Sequence, residues 1–315
     1  MRAPADTEPY DEFGLLHENA SEIGLAWPTG LSAARQVVDV GDGQQVSLIG
    51  WGDGEPEVVF LHGGGQNAHT WDTVALALDR PALAIDLPGH GHSDRRTDRD
   101  YSPWRNAEAV AAVIEQLAPG AAVVVGMSLG GATNIRLAAT RPDLVRRAVI
   151  VDVTPQVNDP GRAWTPEQRG SVALIGGPPT YESFKAVAAA TVALSPNRSE
   201  AAVRRGVRHN TYRRDDGCWA WRYDLFRDHA EGEPAPGAHD WTDFTPLWDD
   251  VAAISVPTMM VQGGDSVFVT PEDRSEFERR LPSVRWEVVL GSGHAVQSDQ
   301  PLALVALVRS FAFDQ

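Results

Sequence analysis

The feature that most constrains the fold is a series of short apolar runs, each of which ends in a glycine-bearing loop. The runs are Val58–Leu61, Ala82–Ile85, Ala122–Val125, Ala148–Val151, Thr258–Val261 and Trp286–Leu290. Short runs of this kind are typical of strands that are buried on both faces of a mostly parallel sheet. Ahead of them, Gln36–Val40 and Gln45–Ile49 flank a Gly-Asp-Gly turn and predict an antiparallel hairpin.

Helical patterns separate these predicted strands. They cover Asn106–Leu117, Ala132–Thr140, Glu272–Leu281 and Leu302–Phe311, with apolar residues at helical spacing or an acidic first turn. Strands that alternate with helices imply βαβ units and right-handed crossovers. The sequence therefore predicts an α/β fold.

The pattern also divides the chain. Residues 1–33 are acidic, show no clean period and are predicted to be an extension on the surface. Residues 34–155 and 245–315 carry the alternating pattern of the core. Between them, residues 156–244 lack strand runs and contain helix-like pieces at Tyr181–Ala193 and Glu200–Tyr212, so we predict a helical insertion that covers the sheet.

Composition excludes several functional classes. The chain has 27 Lys+Arg against 43 Asp+Glu, and its formal net charge of −16 disfavours nucleic acid and anionic membranes as partners. The single cysteine, Cys218, allows no internal disulfide, and no CxxC motif or Cys/His cluster predicts a zinc site. With no apolar N-terminal signal and no membrane-spanning run, we expect a cytoplasmic protein. The oligomeric state stays open.

The most informative motif is Gly126-Met127-Ser128-Leu129-Gly130, which lies between a predicted strand and a predicted helix. A turn this sharp requires glycine at positions 126 and 130, since side chains there would collide with neighbouring backbone. Ser128 would adopt a strained conformation that exposes its hydroxyl group. We therefore interpret Ser128 as a candidate nucleophile, although a glycine-rich turn with an incidental serine is the alternative.

Two further loops point to the same chemistry. The run Val58–Leu61 leads into His62-Gly63-Gly64-Gly65, where a backbone N–H can approach a developing oxyanion. Gly64 N–H and Leu129 N–H would form the oxyanion hole, and His62 would brace the loop. The last predicted strand ends in Gly291-Ser292-Gly293-His294, which makes His294 the candidate general base.

Together, the Ser128 elbow, the glycine-rich loop, the Asp86–Ser93 loop and the late Gly-x-Gly-His resemble the α/β-hydrolase superfamily over residues 37–315. The resemblance implies an eight-stranded, mostly parallel sheet flanked by helices, with a cap inserted after strand six. It also implies a Ser-His-acid triad without metal or organic cofactor. The order of the motifs is most similar to the esterase, lactonase and C–C hydrolase branch.

The acid of this implied triad is where the sequence departs from the family pattern. The common form after strand seven is Gly-x-x-Asp, whereas here Gln262-Gly263-Gly264-Asp265 brings Asp265 one or two positions early. Some family members carry the acid at the end of strand six, where this chain has Asp152. Both carboxylates stay open as partners for His294.

The sequence thus favours a serine hydrolase that acts on an ester or lactone of modest size. Trp219, Trp221 and Tyr223 of the insertion, with Trp164 and Phe184, could line an apolar substrate pocket or form the core of the insertion itself. Two alternatives remain at this stage. One is a C–C bond hydrolase with the same triad, and the other is a non-catalytic ligand-binding protein on the same fold.

Overall fold

A computed structural model describes residues 10–27, 29–161, 165, 178–195, 197–224 and 243–314. Trp164 of the predicted pocket lies outside these residues, as does much of the predicted insertion. Within the described part of the chain, no helix combines the length and hydrophobicity needed to cross a membrane.

Eight of the described strands form one sheet. In chain order they are β1 (Ala33–Asp39), β2 (Gln45–Trp51), β3 (Val58–Leu61), β4 (Ala82–Ile85), β5 (Val123–Met127), β6 (Ala148–Val151), β10 (Thr258–Gly263) and β11 (Arg285–Val289). Their order across the sheet is β1-β2-β4-β3-β5-β6-β10-β11. β1 and β2 pair antiparallel with their neighbours and the other strands pair parallel. The predicted α/β-hydrolase sheet is confirmed.

Helices cover both faces of this sheet. They are α1 (Leu16–Glu22), α2 (Asp72–Leu78), α3 (Pro103–Leu117), α4 (Leu129–Thr140), α7 (Leu247–Ala253), α8 (Pro271–Arg280), α9 (Val296–Asp299) and α10 (Pro301–Ala312). Apolar side chains of α3, α4, α7 and α8 pack in one buried cluster, and those of α1, α2 and α10 in a second. β3, β5 and β6 are buried along their whole length between these layers, which explains their unbroken apolar runs.

The inserted segment combines helices with a small sheet. Its described elements are α5 (Phe184–Ala193), α6 (Glu200–Asn210), β7 (Thr180–Tyr181), β8 (Thr211–Arg213) and β9 (Trp219–Trp221), and the strands pair antiparallel in the order β7-β9-β8. The two helices lie where the sequence showed helix-like pieces, at Tyr181–Ala193 and Glu200–Tyr212. The sheet was not predicted, because strands of two or three residues are too short to show a period of two.

The N-terminal segment does more than lie on the surface. Leu16 and Ala20 on α1 are buried against the layer that contains α2, and Asn19 Nδ2 donates to Thr73 Oγ1 at 2.9 Å. Arg205 of α6 forms ion pairs with Glu18 and Glu22 on α1. The segment therefore contacts both the core and the insertion, a tertiary role that its acidic composition did not predict.

Candidate active site

Ser128 lies at the sharp turn between β5 and α4. Its backbone has φ 51° and ψ −116°, a conformation that costs a non-glycine residue free energy of order 1–3 kcal/mol. A Cβ atom on Gly126 would lie 2.2 Å from Gly130 O, and one on Gly130 would lie 2.3 Å from Leu61 O. Both glycines are thus required by close backbone approach, as the sequence analysis argued.

The Ser128 hydroxyl group contacts an imidazole that arrives from the other end of the chain. Ser128 Oγ lies 3.1 Å from His294 Nε2, and His294 Nδ1 lies 2.7 Å from Asp152 Oδ2. Because an ionised carboxylate only accepts hydrogen bonds, the imidazole proton belongs on Nδ1. Nε2 is then free to accept the serine proton, and the three side chains form one hydrogen-bonded chain.

Asp152 follows β6 directly and is fully buried. Its φ of 53° turns the backbone sharply at the end of the strand. Besides His294, the carboxylate accepts hydrogen bonds from Gly263 N–H at 2.9 Å and from Ser266 Oγ at 2.5 Å. These donors compensate for the desolvation that burial imposes on a charged group.

Asp265 occupies a different position. It is exposed on the loop after β10, and its backbone N–H donates to Ser292 O at 2.9 Å. Among the described residues, its carboxylate makes no hydrogen bond or ion pair with His294. Of the two acids that the sequence left open, Asp152 is the one that contacts the imidazole.

The glycine-rich loop lies beside Ser128. Fully buried His62 braces it, because its Nδ1–H donates to Gly63 O at 2.8 Å and its Nε2 accepts from Leu87 N–H at 2.9 Å. Burial lowers the pKa of His62, so the ring is neutral and suited to this donor and acceptor pair. Gly64 N–H and Leu129 N–H have no hydrogen-bond acceptor within the described part of the chain, and both residues line the cavity next to Ser128.

The cavity above Ser128 has a volume of about 590 Å³ and lies between the core and the insertion. Trp221 and Tyr223 are among its lining residues, whereas Trp219 is not. Trp219 packs against Phe184, with ring centroids 5.1 Å apart, inside the hydrophobic cluster of the insertion. Trp221 and Tyr223 belong to the same cluster and also form part of the cavity wall.

Sequence reasoning missed a polar network that supports the site. Gln66 Oε1 accepts hydrogen bonds from Gly63 N–H at 3.2 Å and from Gln297 Nε2 at 3.4 Å. Gln297 is buried three residues after His294, so this contact joins the histidine loop to the glycine-rich loop. Ser266, which donates to Asp152, was missed as well. No local motif marks these side chains, because their partners are distant in the sequence.

Chemically, the arrangement can activate a serine. Transfer of the Ser128 proton to His294 Nε2 generates an alkoxide-like nucleophile, and Asp152 stabilises the imidazolium that forms. The N–H groups of Gly64 and Leu129, which have no acceptor among the described residues, can stabilise an oxyanion. This combination suits nucleophilic attack on an acyl carbon.

Comparison with known proteins agrees with this chemistry. A family model described as "alpha/beta hydrolase fold" matches residues 56–301. Esterase Rv0045c of Mycobacterium tuberculosis is 50% identical over 300 residues, which are 95% of each chain. A solved structure of this esterase, described as "Transition metal inhibition and structural refinement of the M. tuberculosis esterase, Rv0045c", superposes on this chain with a TM-score of 0.80. The two sequences are 49% identical in this superposition, which covers 96% of this chain and 99% of that one. The sn-1-specific diacylglycerol lipase ABHD11 of Mus musculus is 28% identical over 81% of this chain and 80% of its own.

Proposed function

The chain belongs to the alpha/beta hydrolase fold family, whose members are enzymes, and on that premise we propose that it is a serine hydrolase of small carboxylic esters. One observation carries the proposal, namely the hydrogen-bonded chain from Ser128 through His294 to Asp152. A related esterase that is 50% identical across 95% of both chains favours an enzyme over the binding-protein alternative.

The proposed mechanism proceeds through an acyl-enzyme. Ser128 Oγ attacks the ester carbonyl while His294 takes its proton, and the N–H groups of Gly64 and Leu129 stabilise the oxyanion. His294 then protonates the departing alcohol. In the deacylation step, His294 activates a water molecule that hydrolyses the acyl-enzyme, releases the acid and regenerates Ser128.

The cavity supports a substrate of modest size. Its volume of about 590 Å³ is in the usual range for small-molecule sites. We propose that Trp221 and Tyr223 contact the apolar part of the ester, since both line this cavity. A lactone fits the same chemistry.

The test combines a covalent inhibitor with matched variants. We expect a fluorophosphonate to add once to the wild type and not to Ser128→Ala, as read by intact-mass spectrometry. On p-nitrophenyl esters, Asp152→Asn should lower kcat by about 10³–10⁴-fold, because the imidazole loses its orienting carboxylate. Asp265→Asn, the matched acidic control, should stay within about threefold of the wild type, since it makes no contact with His294.

Two results would redirect the assignment. A larger loss for Asp265→Asn than for Asp152→Asn would make Asp265 the acid. Turnover of a diketone without any ester cleavage, in protein that still labels at Ser128, would favour C–C bond hydrolysis by the same residues.

We further propose that transition metals inhibit this activity, as the description of the related M. tuberculosis esterase structure states for that protein. Initial ester-hydrolysis rates with added Zn²⁺, Ni²⁺ or Co²⁺ should fall and should recover with EDTA. Unchanged rates at millimolar metal would contradict this proposal and leave the ester chemistry unaffected.

A further inference from the structure

A buried cluster of potential metal ligands lies where the insertion meets the core. His69 belongs to the 3₁₀ turn Ala68–Trp71, Asp72 begins α2, and His209 is near the end of α6. The three residues are 8%, 1% and 2% exposed. One potential ligand atom from each lies within 4.8 Å of the other two.

Two polar atoms of this cluster lack a hydrogen-bond partner in the part of the chain that the structure describes. Asp72 Oδ1 and His209 Nε2 are buried and make no hydrogen bond within the described residues. Buried polar atoms are nearly always paired, because an unpaired one loses its hydration without compensation. A cation between them would satisfy both.

The outward-facing nitrogens of the two histidines are already held. His69 Nε2 lies 3.0 Å from Glu12 Oε1, and His209 Nδ1 lies 2.8 Å from Tyr10 Oη. Histidines that bind metals commonly donate their second ring N–H to a carboxylate or another acceptor, which fixes the tautomer and strengthens the ligand. The N-terminal segment supplies both of these outer contacts.

We propose that His69 Nδ1, Asp72 and His209 Nε2 bind one transition-metal ion, with water completing the coordination. Two imidazoles and one carboxylate suit Zn²⁺, Ni²⁺ or Co²⁺ and not Mg²⁺ or Ca²⁺, which take oxygen ligands. Binding displaces the proton that joins His69 Nδ1 to Asp72 Oδ2 at 2.9 Å, and that proton passes to solvent. No local Cys/His motif in the sequence marks this site, because 137 residues separate His209 from Asp72.

Binding requires a local movement. The rings of His69 and His209 stack with centroids 3.8 Å apart and an interplanar angle of 13°, so their lone pairs do not yet converge. His209 is the ring that turns, because its ring makes one hydrogen bond, to Tyr10, whereas His69 is held at both nitrogens. The ion thus binds to a site that is completed by rotation of His209 about its Cβ–Cγ bond, and the Tyr10 hydroxyl group has to follow Nδ1 to keep the outer hydrogen bond.

The next residue connects this movement to the glycine-rich loop. Asn210 Nδ2 donates to Gly65 O at 2.6 Å, and Asn67 Nδ2 donates to His209 O at 3.1 Å. These two hydrogen bonds place the proposed metal site directly beside the loop that carries Gly64. The cluster and Ser128 also line the same cavity. The proposed metal site is thus close to the cavity that holds Ser128.

The experiment measures metal binding directly, so it does not depend on ester turnover. Protein freed of metal by chelation is titrated with Zn²⁺ in a calorimeter, and Co²⁺ absorption reports the coordination geometry. We expect one Zn²⁺ per chain in the wild type and at least tenfold weaker binding in His209→Ala. His17→Ala removes an exposed histidine of α1 and is the matched control, with wild-type affinity.

Three further variants make the outcome decisive. Wild-type affinity in His209→Ala, or loss of binding in His294→Ala alone, would overturn the proposal and assign the metal to the Ser128 site. Should His209→Ala fail to fold, Glu12→Gln carries the test, because loss of an outer carboxylate weakens metal binding about 10–100-fold. Its control is Glu18→Gln, which contacts Arg205 and no histidine in the described residues. Equal affinity in the two glutamine variants would then count against the site.

Discussion

At the scale of single residues, two strained positions define the site. Ser128 and Asp152 both have φ near +50°, where a residue with a side chain is unfavourable. Each follows a buried strand directly, and the turn presents the side chain at the strand end. The strain at Asp152 is offset by three hydrogen bonds to its carboxylate, from Gly263, Ser266 and His294.

Gln66 provides a residue-scale prediction, since its Oε1 accepts from Gly63 N–H beside the proposed oxyanion hole. Gln66→Met keeps the side-chain length and removes this acceptor, so the loop should orient Gly64 less well. We expect kcat for p-nitrophenyl esters to fall about tenfold with KM within about threefold, because the oxyanion forms only during the reaction.

The matched control is Gln116→Met, the same exchange on the exposed end of α3. It should leave both constants unchanged. A rise in KM with constant kcat in Gln66→Met would contradict a role at the oxyanion loop and would indicate substrate contact instead.

At the scale of elements, an ion-pair cluster attaches the insertion to the core. Arg205 of α6 is 7% exposed and pairs with Glu18 and Glu22 of α1, whereas Arg214 pairs with Asp216 at the surface. Truncating a buried partner costs more than truncating an exposed one, since hydrated charges interact weakly.

We therefore predict that Arg205→Met lowers the free energy of unfolding by about 1–3 kcal/mol, and that Arg214→Met changes it by less than about 0.5 kcal/mol. Urea unfolding, followed by tryptophan fluorescence, measures both values. Equal effects would show that α1 does not stabilise the attachment of α6.

The sequence predicted strands that are buried on both faces and missed elements that are short. β3, β5 and β6 were predicted because both faces of each strand are buried. β7, β8 and β9 were missed, since two or three residues carry no readable period. α1 was missed because its apolar contacts, made by Leu16 and Ala20, are sparse in an acidic stretch.

At the scale of the whole molecule, buried histidines couple stability to pH. Burial lowers the pKa of His62, of His90 to about 3 and of His92 to about 4. The unfolded chain, with histidine pKa values near 6.5, binds these protons first as pH falls. Unfolding then takes up protons, so stability decreases below pH 6.5.

His69 acts in the opposite direction: burial disfavours its charged form, but Asp72 and Glu12 outweigh this and raise its pKa to about 9. Its contribution is lost as pH rises through 9.

We expect His90 alone to account for a loss of about 1.4 kcal/mol in the free energy of unfolding between pH 7.5 and pH 5.5. Urea midpoints at the two pH values measure it. In His90→Gln the difference between them should shrink by that amount, while His17→Gln, an exposed control, should retain the wild-type difference. If the difference is unchanged in His90→Gln, then His90 takes up a proton in the folded protein as readily as in the unfolded chain over this pH range.

The sequence by itself determined the sheet, the position of Ser128 at the elbow and the position of His294 after the last strand, because each depends on a local pattern of apolar runs and glycines. Only the tertiary structure decided which acid contacts His294. β6 and β10 are parallel neighbours, so Asp152 and Asp265 both lie near the same edge of the sheet. The early position of Asp265 relative to the family pattern left both acids open. The choice depends on Gly263 and Ser266, which hold the buried carboxylate of Asp152 beside the imidazole. The cluster of His69, Asp72 and His209 could not be predicted from the sequence either. Its residues come from distant segments, which meet only once the chain has folded.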